Sequence, residues 1–135
     1  MSPIPRHLIL GRSGEDAAAR HLCGLGMRIL HRNWSKRGLE LDIICQDRDT
    51  LVFAEVKTRS PGSRGVPGQA LTPSKQSKLA RAAALFLSER DLWAMPCRFD
   101  LLSVTPTEGS FCVEHLKNAF TLDDVQGGGT MWQPF

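Results

Sequence analysis

The chain has 135 residues and a formal net charge of +3, with 41% hydrophobic and 23% charged residues. A length in the range of roughly 100–200 residues suits one domain, and the composition excludes a largely disordered or collagen-like chain. No run of about 18 apolar residues occurs, so a helical membrane span is not expected.

Residues 1–10 read as an irregular lead-in without the long apolar core of a secretory signal. Ser13 to Leu25 has helical spacing, with Ala18, Leu22 and Leu25 recurring at i, i+4 and i+7. Ser13 is the predicted N-cap, with Asp16 at the capping-box position. Met27 to Asn33 predicts a first strand. Leu39 to Cys45 alternates, placing Glu40, Asp42 and Ile44 on the face opposite Leu39, Leu41 and Ile43. A polar turn over 46–49 and the apolar run Leu51–Val56 complete a hairpin. Such a run suits a strand covered on both faces in the middle of a sheet.

Residues 60–71 are rich in glycine and proline and predict a mobile loop, long enough to suspect a function. Thr72 as N-cap and Pro73 at the first helical position begin a second helix that runs to about Ser88. Its apolar stripe is Leu79, Ala83 and Phe86. Cys97–Val104 and Phe111–Leu116 predict two more strands, followed by a helical turn near Asn118. The expectation is an α/β fold in the order α-β-β-β-α-β-β, with a central mixed sheet of about five strands flanked by helices. Residues 1–122 form the predicted domain. Residues 123–135, with three successive glycines, form the predicted flexible tail.

The four cysteines (Cys23, Cys45, Cys97 and Cys112) make no C-x-x-C pair, so a structural zinc site is not expected. Cys23 and Cys45 read as small buried apolar residues. All four are expected as reduced thiols in a cytoplasm.

Glu55 and Lys57 stand two apart in the apolar strand and so share a face. On their own they could be no more than an ion pair at a strand end. Asp42 lies on the preceding strand. A turn centred near Asp47 and Arg48 sets it level with Val52 or Phe53, or a step further with a bulge, within reach of Glu55. Neighbouring carboxylates repel unless a positive charge lies between them, and a divalent cation such as Mg²⁺ or Mn²⁺ supplies one. Glu15 falls on the stripe of the first helix, where a carboxylate is costly unless paired or bound to metal. The alternative is an exposed place at the helix N-terminus, favoured by the macrodipole. Glu15, Asp42, Glu55 and Lys57 together suit metal-dependent phosphodiester hydrolysis, with Lys57 orienting or activating the attacking water.

The segments Leu39-Glu40-Leu41-Asp42-Ile43-Ile44 and Leu51-Val52-Phe53-Ala54-Glu55-Val56-Lys57-Thr58-Arg59 resemble the PD-(D/E)XK nuclease superfamily. More closely, the chain resembles the YraN-like family of uncharacterised bacterial proteins. That likeness includes Gly11, Gly14, Glu15 and Ala18, the run Arg32-Asn33-Trp34, and Gln69-Ala70-Leu71-Thr72 with Lys75 and Lys78. It continues in Arg98-Phe99-Asp100 and in His115, Asn118, Ala119 and Phe120. The resemblance implies a restriction-endonuclease-like core, similar in fold to Holliday-junction resolvases. It also implies an acidic site built on Asp42, Glu55 and Lys57, with Glu15 as the helix carboxylate and Gln69 orienting substrate or a ligand. A homodimer is among the assemblies it suggests. Leu39 departs from the family pattern, which has glycine there, and the glycine of this chain is Gly38.

No Asp or Glu occurs from Val56 to Ser88, a stretch that holds Lys57, Arg59, Arg64, Lys75, Lys78 and Arg81. Arg59, Arg64, Lys75, Lys78 and Arg81 are the candidate contacts to a nucleic-acid backbone, DNA above all. A solvated charged face is the plainer alternative. Aromatic residues are scarce here, so shape and backbone recognition fits better than stacking, and branched or junction DNA is one candidate substrate. The expected function is a divalent-metal-dependent nuclease acting on DNA. The alternative is a module of the same fold that binds nucleic acid or a protein partner without cutting.

Overall fold

Leu51, Val52, Phe53 and Ala54 are all at most 3% exposed, and that double burial makes their strand the centre of the molecule. The computed structural model describes residues 6–60, 71–121 and 125. Its elements run α1 (Arg6–Gly24), β1 (Arg28–Lys36), β2 (Leu39–Asp47), β3 (Thr50–Thr58), α2 (Pro73–Arg90), β4 (Cys97–Thr107) and β5 (Ser110–Phe120). The strands form one mixed sheet in the order β1-β2-β3-β4-β5. Only β3 and β4 are parallel, and α2 is the crossover that a parallel pair requires. The expected α/β order and the central place of β3 are therefore found.

Among the described residues, each face of the sheet carries one helix. Ala17, Ala18 and Leu22 of α1 pack with Ile43, Cys45, Val52, Ala54, Leu102 and Val104. Leu79, Ala82, Ala83, Phe86 and Leu87 of α2 pack with Ile44, Leu51, Phe53, Phe99 and Leu101. Phe86 meets Phe53, Trp34 and His31 edge to face, which sets the helix across β1 to β3.

Several local expectations change. Helix α1 begins at Arg6, so Ser13 is interior to it and does not cap it. Asp16 pairs instead with Arg32, at 2.8 Å. Leu25 is 52% exposed, and Cys23 is exposed while Cys45 is buried, because the helix ends at Gly24 and only its Ala18–Leu22 side meets the sheet. Strand β5 continues to Phe120, with Asn118 in the left-handed region (φ 50°), where a helical turn was expected. Thr72 caps α2 as predicted: its hydroxyl accepts from Lys75 N–H, and Pro73 opens the helix. The loop over 61–70 and nearly all of the predicted tail lie outside the described residues. Within the tail, Val125 packs against the cluster under α2.

A candidate acidic site at the end of the central strands

The hairpin turn lies at Arg48 and Asp49, with Arg48 at φ 60° and Asp47 paired with Thr50. That centre is one residue further along the chain than the sequence suggests, and it moves the register of β2 by two. The last paired residues of the ladder are Ile43 and Ala54, and one step beyond them stand Asp42 and Glu55. The strands part at this point. The freed N–H of Val56 donates to Asp42 Oδ2 at 2.8 Å, so a side chain takes the place of a strand carbonyl.

The two carboxyls act on each other directly. Burial first, and then the negative charge of Glu55, push Asp42 up to about 7. The Val56 amide and the positive charge of Lys75 work in the other direction without cancelling the rise. Near neutral pH the pair therefore holds on to one proton, the mark of two acids with too little positive charge between them.

Lys75 brings a positive charge to the pair. Its Nζ lies 2.8 Å from Glu55 Oε1, and its backbone N–H is held by Thr72 Oγ1 at 3.2 Å. The N-cap of α2 thus fixes the turn that carries the lysine. Asp42, Glu55, Lys75, Lys78, Thr72, Ser74, Glu40 and the Gly38–Leu39 end of the β1–β2 turn line a cleft of about 420 Å³. Gly38 takes φ 78° in that turn, and Leu39 packs against the core under α2. The shift of glycine from position 39 to 38 therefore leaves the turn intact.

Glu15 reaches the site from α1. Gly14 makes that approach close, since a Cβ on it would stand 2.5 Å from Thr58 Oγ1, at the end of β3. Burial raises the Glu15 carboxyl, and the charge of Asp42 raises it further. The side chain of Asn33, acting as a hydrogen-bond donor, and the charge of Arg32 work in the other direction. Asn33 itself sits at φ 54° in β1, a backbone position that Asn tolerates better than most residues. Glu15 is well inside α1, so the expectation of an exposed helix N-terminus does not apply to it. Among the described residues, no group of three or more His, Cys, Asp or Glu side chains converges on one point. The expected set of Glu15, Asp42 and Glu55 is thus a contacting pair with a third acid set back on Asn33.

Lys57 follows Glu55 on the same face of β3 and is exposed. Arg59 runs beside β4: its N–H donates to Val104 O at 2.8 Å, and its Nε to Ser103 Oγ at 3.3 Å. Lys78 lines the cleft, and Arg81 is exposed one turn further along α2. Gln69 and Arg64 lie outside the described residues. The contribution of Asn33 was not apparent from the sequence, although its place in Arg32-Asn33-Trp34 was a signal. The use of Lys75 as an ion-pair partner was also missed.

Another carboxylate, Asp100, is 1% exposed. Arg98 Nε (3.0 Å) and Asn118 N–H (3.1 Å) donate to its Oδ1, and His115 Nε2 lies 2.8 Å from its Oδ2. Arg98 also pairs with Asp47 at 3.0 Å, and His115 Nδ1 is 3.2 Å from His21 Nε2. Burial alone would raise Asp100, but the hydrogen bonds from His115, Arg98 and Asn118 outweigh it and hold the carboxyl below its usual value.

Comparison with known sequences gives the family. The sequence model described as uncharacterised protein family UPF0102 matches residues 14–104, from the glycine before Glu15 through most of β4. The chain belongs to this family. A UPF0102 protein of Oleidesulfovibrio alaskensis is 56% identical over 101 residues, covering 75% of this chain and 50% of that protein. One from Nitratidesulfovibrio vulgaris is 48% identical over 126 residues, with 93% of this chain and 94% of the relative covered. One from Lawsonia intracellularis is 42% identical over 127 residues, covering 93% and 96%. The matched span takes in Glu15, Asn33, Asp42, Glu55 and Lys75, so the whole acidic site lies inside the family's shared region. No helix among the described residues is long and apolar enough to cross a membrane.

Proposed function

We propose that this protein is a divalent-metal-dependent nuclease that hydrolyses phosphodiester bonds in DNA, with the cleft between β2, β3 and α2 as its active site. The observation that carries the reading is the contact between Asp42 and Glu55 on the cleft floor, with Asp42 pushed up to about 7. A half-buried Asp42 that keeps its proton towards neutral pH beside a second acid is poised to exchange that proton for a cation. The donor set fits Mg²⁺ or Mn²⁺: Mg²⁺ usually takes one or two carboxylates and fills its remaining positions with water and substrate phosphate. Asp42 and Glu55 would be the ligands. When bound, the metal would lower the pKa of a water and neutralise charge on the phosphate.

The remaining steps fall to the chain's own residues. Glu15, near enough for Asp42 and Asn33 to act on it, positions water. Lys57 orients the attacking water from the exposed end of β3. Lys78 and Ser74 line the wall from which a phosphate backbone is gripped. An acidic pair at the end of central strands, with a lysine two residues on, also supports the resemblance to the PD-(D/E)XK superfamily. The setting for this activity is the cytoplasm. Metal-dependent cleavage of branched, nicked and single-stranded DNA and of RNA tests the reading. Wild type should cut at least one of these and Asp42→Ala none, while identical behaviour of the two across the panel would end the nuclease claim.

A module that grips nucleic acid without cutting is the second reading. The Lys75–Glu55 pair favours it, because that contact partly neutralises the site without a cation. Its signature would be salt-sensitive binding that survives loss of Asp42 and weakens when Lys78 is neutralised.

A further inference from the structure

Lys75 occupies a position that the cation reading does not account for. Its ammonium stands 2.8 Å from Glu55 Oε1, and Asp42 feels its charge as well. A metal bound to Glu55 would sit about 2.1 Å from a carboxylate oxygen. A dication there and an ammonium on the same oxygen would be close like charges. The lysine side chain is 43% exposed, against 12% for Glu55, so it has room to leave while the carboxylate does not. Its flexible four-carbon stem turns without moving the helix, whose first turn stays fixed by Thr72. The space it would turn into is the cleft, where Lys78 and Ser74 already line the same wall.

We infer that Lys75 is a phosphate-positioning residue held in store on Glu55, and that a divalent cation entering the Asp42–Glu55 pair takes its place and releases it to the substrate backbone. This rests on the metal-binding reading given above and adds a coupling to it. Cation and polyanion then bind cooperatively, because each favours the state in which Lys75 has left Glu55. By linkage the enhancement is the same in both directions.

The experiment measures Mn²⁺ affinity by calorimetry for wild type, Lys75→Met and Lys75→Gln, with thermal melting as the control for folding. A second arm measures the affinity of a short DNA duplex with and without Ca²⁺. Removing the competing ammonium should tighten Mn²⁺ binding at least threefold in both variants. It should also shrink the Ca²⁺-dependent gain in duplex affinity at least threefold. Mn²⁺ affinity that is unchanged or weaker in both variants overturns the exchange and leaves the metal site standing. Tighter Mn²⁺ binding with an undiminished Ca²⁺ effect overturns the positioning role. Absence of Mn²⁺ binding from wild type and both variants removes the metal reading and the exchange with it.

Discussion

Asp42, half-buried, and Asp100, fully buried, are carboxylates of one sheet, and their surroundings treat them in opposite ways. Asp100 receives donors from Arg98, His115 and the Asn118 backbone, and its carboxyl is held low. Asp42 receives one backbone N–H, faces a second acid, and is pushed up to about 7. They lie on opposite faces of the sheet, Asp100 beside α1 and the Asp42–Glu55 pair beside α2. A carboxylate whose bonds are complete holds the fold together. One left short of positive charge spends stability on readiness to bind something. The contrast supports the proposed site at the Asp42 end, because incomplete neutralisation is what a cation site requires.

The largest expected effect comes from breaking the satisfied centre. Asp100→Ala takes their shared acceptor from Arg98, His115 and the Asn118 N–H, leaving Arg98 with Asp47, and should cost about 3 kcal/mol, read from denaturant unfolding. Asp42→Asn should leave stability at neutral pH unchanged or raised, since it removes the repulsion with Glu55. An equally severe loss at both positions would erase the distinction.

The next effect tests how α1 brings Glu15 to the site. Gly14→Ala should cost about 1–3 kcal/mol through the clash with Thr58. Adding Thr58→Ala should recover most of that, a non-additivity expected of residues in direct contact. If Gly14→Ala is as stable as wild type, the close approach of α1 to β3 is not as described.

A smaller effect appears in the pH dependence of stability. Asp42 has its folded pKa raised to about 7 from 3.8. Its stabilising contribution is therefore complete below about pH 4 and is lost as pH rises through about 7. Asp100 is lowered, so its contribution is complete above its unfolded value and is lost in acid as pH falls through the folded one. Thermal melts between about pH 2 and 8 should show Asp42→Asn flattening the decline towards neutral pH while the loss of stability in acid stays. A parallel offset across the whole range would contradict this assignment.

Much of the fold was legible because its signals are local. The continuous apolar run of β3 announced a central strand, and Thr72-Pro73 announced the start of α2. The acidic pair was legible in membership but not in register. Moving the turn by one residue, to Arg48 and Asp49, is what carries Asp42 from the level of Val52–Phe53 to that of Glu55. The role of Lys75 was hidden because it depends on how α2 docks across the sheet. The Asp100 centre was hidden for the same reason: it gathers side chains from β2, β4 and β5, with His21 of α1 against His115. Its traces in the sequence are a single charge inside the run Phe99-Asp100-Leu101-Leu102 and the presence of Arg98, His115 and Asn118 among the residues that carry the resemblance.

The claim that Asp42 and Glu55 form a cation site is tested most directly by thermal unfolding of wild type and Asp42→Asn in rising Mn²⁺. A ligand that binds only the folded state raises its stability with occupancy, by about 2.7 kcal/mol at a hundred times Kd. The melting temperature of wild type should climb with Mn²⁺ concentration while that of Asp42→Asn stays flat. Equal shifts in the two proteins, or no shift in either, would contradict the account.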